Sequence, residues 1–177
     1  MPDPDKLAEF EATLLPHLDA AYNLARWLTR HDQDAEDIVQ EAYLRALRFF
    51  GGFHGDGGRA WLLKIVRNTY CTWIARHRPG ETALPFDEEL HAPVADTPAP
   101  DAALLQQADV ERLRAALEEL PTALRETLVL RELEELSYKE IAGIIDAPLG
   151  TVMSRLARGR QRLQEILLGR AGKGSTS

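Results

Sequence analysis

The sequence predicts an all-α protein: two small helical domains joined by an acidic, Pro-rich linker. Three observations predict it. Apolar residues recur at three- and four-residue steps on both sides of a central gap. That gap, residues 79–108, holds five prolines, six acidic and no basic side chains, and shows no periodicity. Near the C-terminus a serine-capped apolar helix, a tight turn and a basic helix follow one another.

The first domain spans residues 5–78. Leu7, Phe10, Leu14, Leu18, Ala21, Ala25 and Leu28 mark its opening helical stretch, which Pro16 kinks or splits. Asp34 to Phe50 gives a second helix, with Ile38, Val39, Ala42 and Ala46 on one side. Gly51, Gly52, Gly55, Gly57 and Gly58 then break the pattern into a loop. A third helix runs from about Arg59 to Arg76 and stops before Pro79. After the linker, 79–108, the second domain spans 109–168. Val110, Leu113, Leu117 and Leu120 mark one helix, ended near Pro121, and Leu124, Leu128 and Leu133 mark the next. Residues 169–177 read as a polar tail.

The last two helices carry the chemistry. Ser137 caps the first, and Glu140 completes a capping box. Ile141, Ala142 and Ile145 supply its buried side, and Asp146-Ala147-Pro148 makes the turn, with Asp146 suited to the left-handed conformation. At about 100° per residue, Val152, Leu156, Gly159, Leu163, Ile166 and Leu167 share one side of the final helix. Thr151, Ser154, Arg155, Arg158 and Arg162 form a different stripe. This is the layout of a helix-turn-helix whose second helix enters the DNA major groove. Arginine forks pair with guanine edges or phosphates, and Thr and Ser add hydrogen bonds.

Charge is segregated beneath the net −7. Residues 42–78 carry seven basic and one acidic side chain, and residues 137–177 carry seven and three. The three other blocks, 1–41, 79–108 and 109–136, are acidic. Two basic blocks between acidic ones suit two DNA contacts with protein-facing or repelling surfaces around them. Lys64, Arg67, Asn68 and Arg78 share one arc of the 59–78 helix beside the Gly-rich loop with His54. Such an arc suits a phosphate backbone, and the nearby aromatics suit unstacked bases. Asp34, Asp37, Gln40 and Glu41 form a polar ridge suited to a basic protein partner.

Other classes have little support. No apolar run approaches the roughly 18 residues of a membrane helix, so no membrane insertion is expected. The first residues lack a signal-peptide pattern, so a cytoplasmic protein is expected. Cys71 is the single cysteine, which leaves no internal disulfide and no cysteine metal cluster. The sequence has no HExxH, P-loop or GxSxG pattern, so no catalytic residue, no metal and no cofactor is expected, and the protein is read as a non-enzyme.

These pieces, in this order, resemble an extracytoplasmic-function (ECF) sigma factor of the sigma-70 family. DAEDIVQEAYLRAL is similar to that family's region 2.2. GGFHGDGG and RAWLLKIVRNTYCTWIARHR are similar to regions 2.3 and 2.4, and LEELPTALRETLVLRELEELSYKEIAGIIDAPLGTVMSRLARGRQRL to region 4. The resemblance implies a promoter-specificity subunit that binds core RNA polymerase, recognises −35 and −10 promoter DNA and promotes opening. It places Asp34, Asp37, Gln40 and Glu41 against the polymerase β′ clamp helices. It places His54, Arg59, Lys64, Arg67 and Asn68 at the −10 element, with the loop capturing a flipped base. It places Thr151, Met153, Ser154, Arg155, Arg158 and Arg162 at the −35 element, with region 4 on the β flap. Met153 stands where several relatives carry a basic residue, and no region 3 is recognisable. An anti-sigma factor is the further implied partner, and the wording of SYKEI and GTVMSRL is similar to that of relatives in stress responses. The alternative is a stand-alone helix-turn-helix regulator acting on duplex DNA.

Overall fold

The computed structural model describes residues 3–80 and 109–174, with side chains as far as residue 169. Apart from Pro79 and Gly80, the expected linker lies outside the described residues, as do residues 175–177 of the expected tail.

Helix α1 (Pro4–Leu14) starts where the Asp3 carboxylate accepts from the Asp5 N–H at 3.1 Å, with Pro4 already holding a helical φ. Pro16 does interrupt the helix. A 3₁₀ turn at Leu15–His17 separates α1 from α2 (Leu18–Thr29), because proline lacks the donor an α-helix needs there. Arg30, left-handed at φ 64°, ends α2 and turns the chain into α3 (Asp32–Phe49). A 3₁₀ turn, Phe50–Gly52, and a loop with Gly55 and Gly57 at φ near 90° lead into α4 (Gly58–His77). Helices α2, α3 and α4 pack mutually, and Leu24, Ile38, Leu62, Leu63 and Val66 are fully buried between them.

The second unit starts at α5 (Val110–Glu119), capped by Asp109. Helix α6 (Thr122–Leu128) passes into a π turn at Val129–Leu133. The capping box forms as expected: Glu140 N–H donates to Ser137 Oγ at 3.1 Å and Ser137 N–H to Glu140 Oε1 at 3.0 Å. It opens α7 (Tyr138–Ile145), which Asp146 ends at φ 53°, ψ 53°. Helix α8 (Leu149–Gly174) continues past the expected end at 168. Its apolar side is the expected one, with Val152, Leu156, Gly159, Leu163 and Leu167 buried. Gly159 permits a close approach, since a Cβ there would lie 3.0 Å from Leu128 Cδ1. Among the described residues there is no strand, and no helix is long and apolar enough to cross a membrane.

The two units pack against each other, α2 on α6 and α4 on α7. Polar groups stitch the seam. The Arg125 guanidinium, 1% exposed, donates from Nε to the Trp27 carbonyl at 2.7 Å and from Nη1 to the Leu120 carbonyl at 2.7 Å. Arg30 Nη2 reaches the same Leu120 carbonyl at 3.4 Å. Burial, and then the neighbouring Arg30 charge, lower the Arg125 guanidinium to about 10.

Candidate nucleic-acid interface

Helix α4 presents Lys64 and Asn68 to solvent. His54 is exposed in the preceding loop, where Phe53 stacks on Phe50 (ring centroids 5.9 Å apart) and tilts against Trp61 at 5.1 Å. The two other cations expected at this site point across the seam. Arg59 Nη2 donates to the Glu134 carbonyl, and its Nη1 lies 3.9 Å from that residue's carboxylate. Arg67 pairs with Glu126 on α6 through two hydrogen bonds of 3.3 Å, Nε to Oε2 and Nη2 to Oε1. Its side chain is 12% exposed and that of Glu126 0%. On the expected arc Lys64 and Asn68 are exposed, whereas Arg67 is turned to the carboxylate that α6 brings to it and Arg78 to Asp34.

On α8, Met153 is 53% exposed, Arg162 is exposed, and Thr151, Ser154 and Arg158 are partly buried. Arg155 departs from the expected stripe at 8% exposure. On a helix it falls only about 40° from Gly159 and 60° from Val152, so it borders the core side and faces the Glu126 region. Its Nε has no hydrogen-bond partner. Burial lowers the Arg155 pKa, the Glu126 charge raises it, and the Arg67 charge lowers it again. Glu126 itself is raised by burial and pulled back by Arg67, Arg155 and Arg125. The two-point pairing with Arg67 uses both carboxylate oxygens as acceptors, so we assign Glu126 as ionised.

The acidic ridge lies on α3. Asp37 and Gln40 are exposed, while Asp34 pairs with Arg78 at 3.4 Å and Glu41 with Arg45 at 2.8 Å. Asp37 accepts from Gln33 Nε2 at 3.2 Å. These are exposed or half-exposed pairs of little energetic weight, so the ridge stays available to a stronger partner. Sequence reasoning missed Glu126, Arg125 and Glu134. The signal was present: Arg125 and Glu126 interrupt the apolar run ALRETLVL, all of which is buried.

The sigma-70 region 2 family matches residues 14–79, and the sigma-70 region 4 family matches residues 110–163. The chain belongs to the sigma-70 family, in its ECF class. The ECF RNA polymerase sigma factor SigE of Mycolicibacterium smegmatis is 34% identical over 166 residues, 93% of this chain and 64% of that one. The RNA polymerase sigma-H factor of Pseudomonas aeruginosa is 36% identical over 146 residues, 77% of this chain and 75% of that one. Among solved structures, the sigma factor RpoE in complex with the anti-sigma factor NepR, from Bartonella quintana, superposes with a TM-score of 0.68. It is 29% identical, and the match covers 90% of this chain and 97% of that one. Region 2 of this sigma factor thus comprises α2, α3 and α4, and region 4 comprises α5 to α8 as far as residue 163. The stand-alone regulator finds no support, since a duplex-binding helix-turn-helix has no use for a matched region 2.

Proposed function

We propose that this sigma factor acts as the promoter-specificity subunit of a cytoplasmic RNA polymerase. The observation that carries this reading is one chain holding both a region 2 that exposes Lys64 and Asn68 on α4 and a region 4 with a capped helix-turn-helix. In this reading residues 5–78 form the unit for polymerase and the −10 element, 79–108 a tether, and 109–168 the unit for the −35 element. Asp34, Asp37, Gln40 and Glu41 dock on the β′ clamp helices. His54, Lys64 and Asn68 meet the −10 DNA, joined by Arg59 and Arg67 once the units part. Thr151, Met153, Ser154, Arg158 and Arg162 meet the −35 duplex, with region 4 seated on the β flap and Arg155 buttressing α8 from below.

No covalent chemistry is needed. Capture of an unstacked base offsets a few kcal/mol of lost stacking, and that drives opening. Control by an anti-sigma factor is part of the proposal, supported by the RpoE neighbour, which was solved with one bound. Run-off transcription with purified core polymerase on genomic fragments tests the reading. Discrete transcripts that require this chain are expected, and transcripts no different from those of core polymerase alone would refute it.

A further inference from the structure

The contact between Arg67 and Glu126 joins the candidate nucleic-acid face of the first unit to the buried side of the second. Glu126 is fully buried, yet its two-point partner comes from the other unit, 59 residues earlier in the chain. A carboxylate presents to a guanidinium the same planar pair of oxygens that a phosphate does. Arg67 in this arrangement is therefore occupied by an internal substitute for the anion it would otherwise bind. Glu126 is also not left unpaired if α4 withdraws. Arg155, in its own unit, acts on the same charge and holds a buried Nε with no acceptor. Parting the units exchanges one guanidinium for another around Glu126, while Arg67 gains water or phosphate. Such a contact closes the chain without committing it to the closed form.

We propose that Glu126 is a latch: it holds the free sigma factor shut by occupying Arg67 in place of promoter phosphate, and releases it on seating in the polymerase. The closed packing stands on geometry alone; its regulatory meaning rests on the sigma reading above.

Cys71 is a built-in reporter. It is the one cysteine of the chain, sits one turn beyond Arg67 on α4, and is half-buried at the seam, where the Arg67 and Glu126 charges act on it. The test measures the iodoacetamide labelling rate of Cys71 in the full chain, with the radius of gyration from X-ray scattering alongside. Slow labelling is expected for the wild type, and labelling at least about tenfold faster with a larger radius for Glu126→Gln. Arg67→Met guards against a folding defect, because it leaves Glu126 with Arg155. It should also label about tenfold faster, with helicity by circular dichroism unchanged. If Glu126→Gln loses helicity, Arg67→Met alone decides. Wild-type labelling and radius in a folded Arg67→Met would overturn the latch. Run-off activity of Glu126→Gln should match the wild type, and loss of that activity in a folded variant would overturn release on polymerase. Failure of the sigma reading is distinguishable: the wild type then gives no run-off transcripts, whatever the labelling rates.

Discussion

Arg125, on the first turn of α6, donates a 2.7 Å hydrogen bond to the carbonyl of Trp27, near the end of α2 and 98 residues earlier. The same guanidinium holds the Leu120 carbonyl and Thr122 Oγ1, so one buried cation joins the α5–α6 turn to region 2. A methionine fills the stem but makes none of these bonds. Arg125→Met should destabilise the chain by about 3 kcal/mol, since hydrogen bonds from a charged group contribute about 1.5–3 kcal/mol. Urea unfolding should show the loss, and hydrogen exchange should show faster exchange at both ends of the seam.

The capping box of α7 predicts a modest loss of stability. Ser137→Ala should cost about 1 kcal/mol by removing the acceptor for the Glu140 N–H. Thermal unfolding would register it.

Tyr43 makes a pH prediction. Its hydroxyl donates to the Leu14 carbonyl at 2.8 Å, and burial raises its pKa from 10.0 to about 12. A raised folded-state pKa contributes stability that is fully present below pH 10 and is lost as pH rises through 12. Ultraviolet titration should resolve a phenol near pH 12, absent from Tyr43→Phe. At neutral pH Tyr43→Phe should cost about 1 kcal/mol, the ordinary contribution of one hydrogen bond.

On α8, Arg158→Ala and Arg162→Ala should separate base contact from phosphate contact. A base-reading arginine contributes about 1–3 kcal/mol of discrimination, whereas a phosphate-binding one lowers the salt slope by about one without changing preference. Holoenzyme affinity for wild-type and mutated −35 duplexes over a salt series assigns each. Unchanged affinity and slope in both variants would remove α8 from the DNA.

On α3, reversing charge at Asp37 and Glu41 to lysine should weaken core-polymerase binding at least about tenfold, or about 1.4 kcal/mol. Both residues lie outside the buried core, so the variant should stay folded. Wild-type binding in a competition assay would reject the ridge as the docking surface.

Local rules made much of this architecture legible. Ser137 and Glu140 sit at capping-box spacing, Asp146 tolerates the left-handed region, and Pro16 cannot continue a helix. The apolar spacing of α8 separated Val152 and Leu156 from Arg162 for the same reason. What escaped sequence reasoning is what depends on a partner far along the chain. Arg67 lies on a solvent-facing arc of its own helix, and only the approach of α6 turns it inward. Arg155 borders the core stripe, where a helical projection alone does not decide between solvent and a buried carboxylate. Arg125 and Glu126 fall in the acidic 109–136 block, and the partners that hold them, Trp27 and Arg67, come from the other unit.

Gly159 has a consequence for how promoter preference diversifies. With Leu128 pressed against its backbone, the depth and pitch of the last helix are set from its inner side. Met153, 53% exposed and six residues earlier, takes no part in that seating. Exchanges at 153 are then nearly neutral for folding, within about 0.5 kcal/mol. In the proposed reading a lineage carrying this scaffold retargets its regulon there by single substitutions, whereas a side chain at 159 must first displace Leu128.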